Sequence, residues 1–204
     1  MTGLSLSDLA GDVAAVIDGL GAGPAVLIGH AFGQRVARML SAIRPDLCQA
    51  VIMLAAGGKV PVPERARNAL LACFDETLPA AQHLEHVQYA FFAPGNDPTV
   101  WSDGWHRQVA EMQSAATTGL GRHEATTSPA TSLDAWWAGG DARMLVVQGL
   151  QDTVAIPENG RRLKAEAGSR VELIEIVGAA HALLPECPDE VALHVLDFLK
   201  RLPK

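Results

Sequence analysis

Two ionisable side chains follow apolar segments of the chain at the points where predicted strands end. Asp152 comes soon after residues 144–148, and His181 comes soon after residues 171–177. The carboxyl ends of parallel strands meet at one edge of a sheet, so we expect these two side chains to lie close together. A carboxylate that orients a histidine prepares it to act as a general base or acid.

A third segment, the Gly-His-Ala-Phe-Gly turn at Gly29–Gly33, joins the apolar residues 25–28 to a helical pattern at 32–43. So sharp a turn from strand to helix requires a positive φ at its central residue, Ala31, and small residues two positions to either side. The helix that follows directs its positive end at the turn, so the Phe32 N–H is expected to donate to an oxyanion. The pattern therefore predicts an oxyanion-binding turn near the acid and the histidine.

This turn resembles the nucleophile elbow of the α/β-hydrolase family, Gly-X-Ser-X-Gly, and the order of elbow, acid and histidine is also the family's. The resemblance extends over residues 5–202. It implies a hydrolase acting on small, apolar, ester-like carbonyl substrates through a nucleophile–His–Asp triad, without a cofactor or a metal ion. In that mechanism His181 is the general base and acid, Asp152 orients it, and the Phe32 N–H is an oxyanion donor. Ala31 occupies the position of the nucleophile.

Alanine at this position closes the covalent acyl-enzyme route, because a methyl group cannot attack a carbonyl. The sequence therefore predicts a chain that is inactive or strongly impaired as a hydrolase. Three explanations stay open: a serine replaced deliberately to trap a substrate, a natural loss, or a chemistry that needs only the His181–Asp152 dyad. Some lyases and cofactor-independent oxygenases of this fold use such a dyad as a base. A non-catalytic ligand-binding or scaffold protein is the competing class.

The spacing of apolar residues predicts an α/β fold, namely a partial α/β-hydrolase fold with a mostly parallel sheet, flanking helices and a helical insertion. The predicted strands are 25–28, 50–54, 144–148 and 171–177. The predicted helices are 5–20, 32–43, 64–73, 78–91, 100–116, 157–167 and 189–202, with a loop at 117–131. The first helix is predicted to bury one apolar stripe, Leu9, Val13, Val16 and Leu20. We interpret residues 1–204 as one domain, with a core of 1–58 and 138–204 and a helical lid insertion at 59–137.

The insertion contains all four tryptophans of the chain, Trp101, Trp105, Trp136 and Trp137. Tryptophans in such a segment more often form the core of a lid, but they could also roof an apolar acyl pocket. We predict that Trp101, Trp105 and Trp136 contact the substrate, together with His30 of the elbow.

The four predicted strands match the last strands of the family's larger sheet. The family's N-terminal strands, and the loop that supplies its second oxyanion N–H, are therefore expected to be missing. Strand 25–28 would then have a bare, apolar edge that is prone to association. We predict a homodimer that buries this strand and helices 5–20 and 32–43, and a monodisperse monomer at micromolar concentration would contradict it.

The net charge of −7 provides no basic surface for nucleic acid or anionic lipid. No apolar run approaches the length of a membrane span, and the first residues do not resemble a signal peptide. Cys48, Cys73 and Cys187 are widely spaced and predict neither a disulfide framework nor a zinc site. We therefore expect a cytoplasmic protein with no membrane or nucleic-acid partner.

Overall fold

The protein is seen in a computed structural model that describes residues 5–21, 23–118 and 131–203. The described residues contain four strands, which form one parallel sheet in sequence order. They are β1 (Ala25–His30), β2 (Cys48–Leu54), β3 (Arg143–Gly149) and β4 (Val171–Ile176). The middle strands β2 and β3 are buried on both faces, which is why their sequences are almost continuous apolar runs.

Helices cover both faces of this sheet, as an all-parallel sheet requires. They are α1 (Leu6–Leu20), α2 (Gly33–Ile43), α3 (Glu64–Ala72), α4 (Ala80–Phe91), α5 (Arg107–Thr118), α6 (Leu133–Trp136), α7 (Glu158–Ala167), α8 (Leu183–Glu186) and α9 (Pro188–Lys200). Short 3₁₀ turns lie at Pro45–Leu47, Pro98–Trp101 and Gly168–Arg170. Helices α1, α2, α6 and α7 pack on one face, and α8 and α9 pack on the other. Among the described helices, none has the length and hydropathy needed to cross a bilayer.

Helix α1 begins where its capping residues predict, but it buries a different face from the expected one. The Asp8 N–H donates to Ser5 Oγ at 3.1 Å, and the Ser5 N–H donates to Asp8 Oδ2 at 2.8 Å. The buried residues are Leu6, Ala10, Ala14 and Ile17. The predicted stripe is wrong: Val16 and Leu20 are exposed. Two alanines on the buried face allow α1 to approach α2 closely, and the larger side chains are left outside.

The segment between β2 and β3 contains α3 to α6. Its own apolar cluster joins α3 to α4 through Ala69, Cys73, Val87 and Phe91. The helix predicted at 100–116 is instead the turn Pro98–Trp101 followed by α5, because Gly104 adopts φ 85° and interrupts the helical backbone. Residues 117–118 of the predicted loop belong to α5, and residues 119–130 lie outside the described part of the chain. The short helices α6 and α8 have no counterpart in the sequence-based prediction.

One edge of the described sheet is strand β1. The Ile28 side chain at this edge is 56% exposed, which is unusual for an isoleucine in the first strand of a βαβ unit. The exposed side chains of Val16 and Leu20 on α1 add further apolar surface. The homodimer expected through this edge stays a prediction.

Candidate active site

The elbow has the backbone geometry that its sequence predicts. Strand β1 ends at His30, and the next residue, Ala31, adopts φ 51°. The Ala31 N–H donates to the carbonyl of Leu54 in β2 at 3.0 Å, which ties the turn to the neighbouring strand. A left-handed alanine costs on the order of 1 kcal/mol, so the surrounding contacts hold this turn against its local preference.

Only one of the two glycines of the elbow is needed for close packing. A Cβ at Gly29 would lie 2.5 Å from the Gln34 backbone nitrogen, because α2 begins directly above the strand end. A Cβ at Gly33 would meet no atom within 4 Å. The expectation that both positions must be small is therefore wrong for Gly33.

The start of α2 has N–H groups at the elbow that no described residue pairs with. Phe32 has a helical backbone (φ −60°, ψ −39°), and no side chain in the described part of the chain caps the helix that follows it. Among the described residues, none accepts a hydrogen bond from the Phe32 N–H. The first N–H groups of a helix lack internal acceptors and favour an anion.

Asp152 and His181 are brought together by the loops after β3 and β4. His181 Nδ1 lies 2.9 Å from Asp152 Oδ2, and both side chains are almost completely buried. Backbone bonds join the two loops: the Leu150 N–H donates to the carbonyl of Ile176 at 2.9 Å and the Gln151 N–H to that of Ala179 at 3.0 Å. The pair is thus a hydrogen-bonded acid and histidine at the carboxyl ends of neighbouring strands.

Both carboxylate oxygens of Asp152 accept hydrogen bonds. Its Oδ1 accepts from the N–H groups of Val154 and Ala155, each at 2.8 Å. Its Oδ2 accepts from Gln148 Nε2 at 3.2 Å as well as from His181. Hydrogen bonds of this kind hold the carboxylate in one orientation.

Gln148 is a site residue that the sequence analysis missed. Its amide nitrogen also donates to the carbonyl of Ala155, and its oxygen accepts from the Ala56 N–H at 3.1 Å, so it links the loops after β2 and β3. The available signal was Gln148 itself, the one polar residue in the apolar run 144–148, since a polar residue in a buried strand must find hydrogen-bond partners.

His30 supports the histidine loop from the elbow side. Its Nε2 donates to the His181 carbonyl at 2.7 Å, and its ring lies 6.1 Å from that of Trp101. Burial lowers the pKa of His30 below its ordinary value, and the nearby His181 lowers it further. His30 is therefore a neutral hydrogen-bond donor between the elbow and the histidine loop.

These groups open onto one cavity of about 710 Å³. The described residues that line it include His30, Ala31, Phe32, Arg35, Phe91, Trp101, Trp105 and His181. His181 Nε2 makes no hydrogen bond with a described residue, so this nitrogen is available to a ligand in the cavity. The cavity therefore combines an unpaired imidazole nitrogen, the uncapped start of α2 and an aromatic wall.

The prediction that Trp136 contacts a ligand needs correction. Trp136 does not line the cavity; it is buried against the guanidinium of Arg38, at 4.6 Å from the ring centre. Its short helix α6 packs on α2 and the sheet, away from the cluster that contains Trp101 and Trp105. Trp136 belongs to the same sequence segment as Trp101 and Trp105, but it packs in a different layer of the fold.

Among the described residues, neither a metal site nor a reactive thiol lies at the cavity. No group of three or more His, Cys, Asp or Glu side chains in that part of the chain could hold a metal ion. No cysteine lines the cavity there, and burial raises the pKa of Cys73 to about 12 and that of Cys187 to about 11. These thiols stay protonated and are poor nucleophiles.

Comparison with known proteins identifies the fold family. Residues 2–193 match the model of the alpha/beta hydrolase family. No curated protein matches the sequence significantly.

Many solved structures share the fold at low sequence identity. One is MGS-M2, an alpha/beta hydrolase enzyme from a Medee basin deep-sea metagenome library (TM-score 0.75, 14% identity, covering 99% of this chain and 74% of that chain). Another is a thermophilic esterase from Thermogutta terrifontis (TM-score 0.70, 22% identity, 98% and 74%). A third is Rv0554 from Mycobacterium tuberculosis (TM-score 0.70, 20% identity, 100% and 75%). Since the family model spans nearly the whole sequence, the chain belongs to the alpha/beta hydrolase family.

Proposed function

We propose that this chain binds small ester-like carbonyl compounds in a hydrolase site whose covalent route is closed by Ala31. The observation that carries the proposal is the hydrogen bond of 2.9 Å between His181 and Asp152 beside a cavity that Ala31 also lines. An acid and a histidine held in this way serve a nucleophile or a water molecule next to the histidine. The esterase among the structural neighbours is consistent with this class of substrate.

The chemistry follows from the groups that face the cavity. With a serine at position 31, His181 would accept the hydroxyl proton as the oxygen attacks the carbonyl, and would then return it to the departing alkoxide. The oxyanion would accept from the Phe32 N–H. Without that serine, the remaining route is attack by a water molecule whose proton passes to His181. This route lacks an acyl-enzyme intermediate, so we expect hydrolysis to be strongly impaired or absent.

The helical segment at 59–137 acts as a lid in this proposal. Its residues Trp101 and Trp105 supply apolar wall to the cavity, and Trp105 packs on Phe91 with ring centres 4.8 Å apart. Aromatic rings bury large apolar areas, so they favour a short apolar acyl or alkoxy group over water.

Restoring the nucleophile tests the proposal. The unaltered chain, Ala31→Ser and Ala31→Gly are assayed with p-nitrophenyl acetate and butyrate. We expect Ala31→Ser to exceed both other chains by at least about 100-fold in kcat/KM, because only it can form an acyl-enzyme. Adding His181→Ala to Ala31→Ser should abolish this gain, and circular dichroism checks that each variant is folded.

The other outcomes separate the competing classes. Equal activity in all three chains that His181→Ala removes would indicate dyad chemistry, of the kind that lyases and oxygenases use. Ester binding without turnover in any chain would favour a non-catalytic ligand-binding or scaffold protein. Either result contradicts the proposal of a hydrolase site that has lost only its nucleophile.

A further inference from the structure

The cavity wall contains a cationic side chain that the hydrolase proposal does not use. Arg35 lies on α2, four residues after Ala31, and lines the same cavity as Ala31 and His181. A Cβ built at Gly57 would lie 3.8 Å from Arg35 Nη2, so the guanidinium reaches the loop after β2, which also borders the cavity. The cation is therefore close to the ligand space and on the helix that follows the elbow.

The described residues offer Arg35 no anion and no hydrogen-bond acceptor. Its guanidinium instead makes a cation–π contact with Trp136, whose ring centre is 5.6 Å from the guanidinium carbon. By contrast, Arg44, Arg161 and Arg201 each form a salt bridge with a carboxylate on the surface. A partly buried guanidinium with five N–H donors and no described acceptor favours an anionic partner.

A second buried arginine makes this region more positive. Arg38, one turn further along α2, is fully buried and donates to the carbonyls of Gly57 at 2.7 Å and Trp137 at 3.1 Å, and to Gln34 Oε1. Its Nε has no hydrogen-bond partner among the described residues. Burial lowers the pKa of Arg38 and that of Arg35, and the positive charge of Arg35 lowers the pKa of Arg38 further.

The nearby carboxylates do not neutralise the pair. Glu166 is engaged by Lys59 at 2.7 Å and by Trp137 Nε1 at 2.6 Å, and it bonds to neither arginine. Asp103 is the acidic side chain among the described lining residues, and it is exposed at the rim of the cavity. The inner wall thus carries uncompensated positive charge beside an otherwise apolar space.

We propose that the ligand of this cavity carries a carboxylate, which pairs with Arg35 while its ester carbonyl lies at the elbow. This inference rests on the proposed function for the ester end and on Arg35 for the anionic end. Arginine binds a carboxylate through two parallel N–H···O bonds, and such a pair is stronger where water is excluded. Arg35 lies in the first turn of α2 and lines the same cavity as Ala31, so we expect only a few carbons between the two ligand groups. Half-esters of short dicarboxylic acids have this arrangement.

Binding to the unaltered chain tests the inference without requiring turnover. Monomethyl succinate, which is anionic, is compared with neutral dimethyl succinate by calorimetry and by quenching of tryptophan fluorescence. We expect the half-ester to bind at least tenfold more tightly. Arg35→Gln should remove this preference, and Arg35→Lys should retain part of it because the charge stays but the paired donors are lost.

A matched variant and a second anion complete the design. Arg67→Gln removes an exposed arginine outside the cavity and should leave the preference unchanged. Equal affinity for the two esters, or a preference that survives Arg35→Gln in a folded variant, would overturn the inference. Inorganic phosphate is titrated in parallel, and tighter binding of phosphate than of the half-ester would overturn the assignment to a carboxylate.

The two proposals can fail separately. If Ala31→Ser hydrolyses neutral esters but the chain shows no preference for the half-ester, the anion inference is wrong and the hydrolase proposal stands. If the half-ester binds through Arg35 but Ala31→Ser hydrolyses no ester, the hydrolase proposal is wrong and the anion site stands.

Discussion

The loops that carry the acid and the histidine are held by many more hydrogen bonds than the elbow they face. Asp152 accepts four hydrogen bonds, and backbone bonds join its loop to that of His181. On the elbow side, Ala31 presents a methyl group, and within the described residues the Phe32 N–H and the Arg35 guanidinium have no acceptor. The polar groups of the acid–histidine side are paired within the protein, whereas the elbow side has donors without a described acceptor.

The acid–histidine side and the elbow side therefore contribute differently to the stability of the fold. The acid–histidine side contributes to stability whether or not a substrate is present, because its polar groups are buried and must be paired. The elbow side costs stability through the positive φ at Ala31. Within the described residues its donors at Phe32 and Arg35 have no acceptor, and a bound anion would accept from them. Substitutions on the two sides should therefore differ in their effect on stability.

The largest effect is expected for Asp152→Ala. This change leaves several buried donors without an acceptor, at about 1–3 kcal/mol each, and we expect the free energy of unfolding to fall by about 3–5 kcal/mol. Urea denaturation measures it. Asp152→Asn, which keeps one acceptor oxygen and the shape, should lose about half as much.

Ala31→Gly is the matched change on the elbow side. Relief of the strained φ should roughly offset the greater flexibility of glycine in the unfolded chain, for a net change within about 1 kcal/mol. Losses of similar size at Ala31 and Asp152 would contradict the difference between the two sides.

The two glycines of the elbow should respond differently to replacement by alanine. Gly29→Ala places a Cβ against backbone atoms of α2 and should lower the free energy of unfolding by about 2–3 kcal/mol. Gly33→Ala meets open space and should raise it by up to about 1 kcal/mol, since alanine restricts the unfolded chain. Thermal unfolding of the two variants beside the unaltered chain gives the signs, and a loss in both would show that Gly33 is also constrained.

The smallest effect is expected from His30 and depends on pH. Since the pKa of His30 is lowered in the folded protein, the unfolded chain binds the proton more readily. The stabilisation is fully present above the ordinary histidine pKa of about 6.5 and is lost as the pH falls below it. His30→Gln, which keeps a donor for the His181 carbonyl, should show a weaker fall in stability between pH 7.5 and pH 5. An identical pH profile in both chains would exclude this contribution.

The strands and most helices were predictable because their signals are local. Each of the strands β1 to β4 is a short apolar run, and the glycines and prolines that end an element lie within a few residues of it. The observed bounds of these elements differ from the predicted ones by at most two residues. The acid and the histidine were found in the same way, because each follows a recognisable strand. Helix α5 was misplaced, since Gly104 was not recognised as an interruption.

The errors arose where distant segments meet. Trp136 was expected in the cavity, but it packs on Arg38 because α6 lies against α2. The exposed stripe of α1 has the same origin, since the spacing of apolar residues does not say which face a neighbouring helix will cover. Gln148 connects the loops after β2 and β3, which only the folded chain brings together.

The sequence by itself determined the fold family, the order of elbow, acid and histidine, and the absence of a hydroxyl at position 31, because each is written in contiguous residues. Only the tertiary structure decided which tryptophans face the cavity, how completely Asp152 is paired, and that Arg35 lines the ligand space without a described acceptor. The physical reason is that hydrogen bonding and burial depend on distances between segments that are far apart in the chain, and these distances are set by packing on both faces of the sheet.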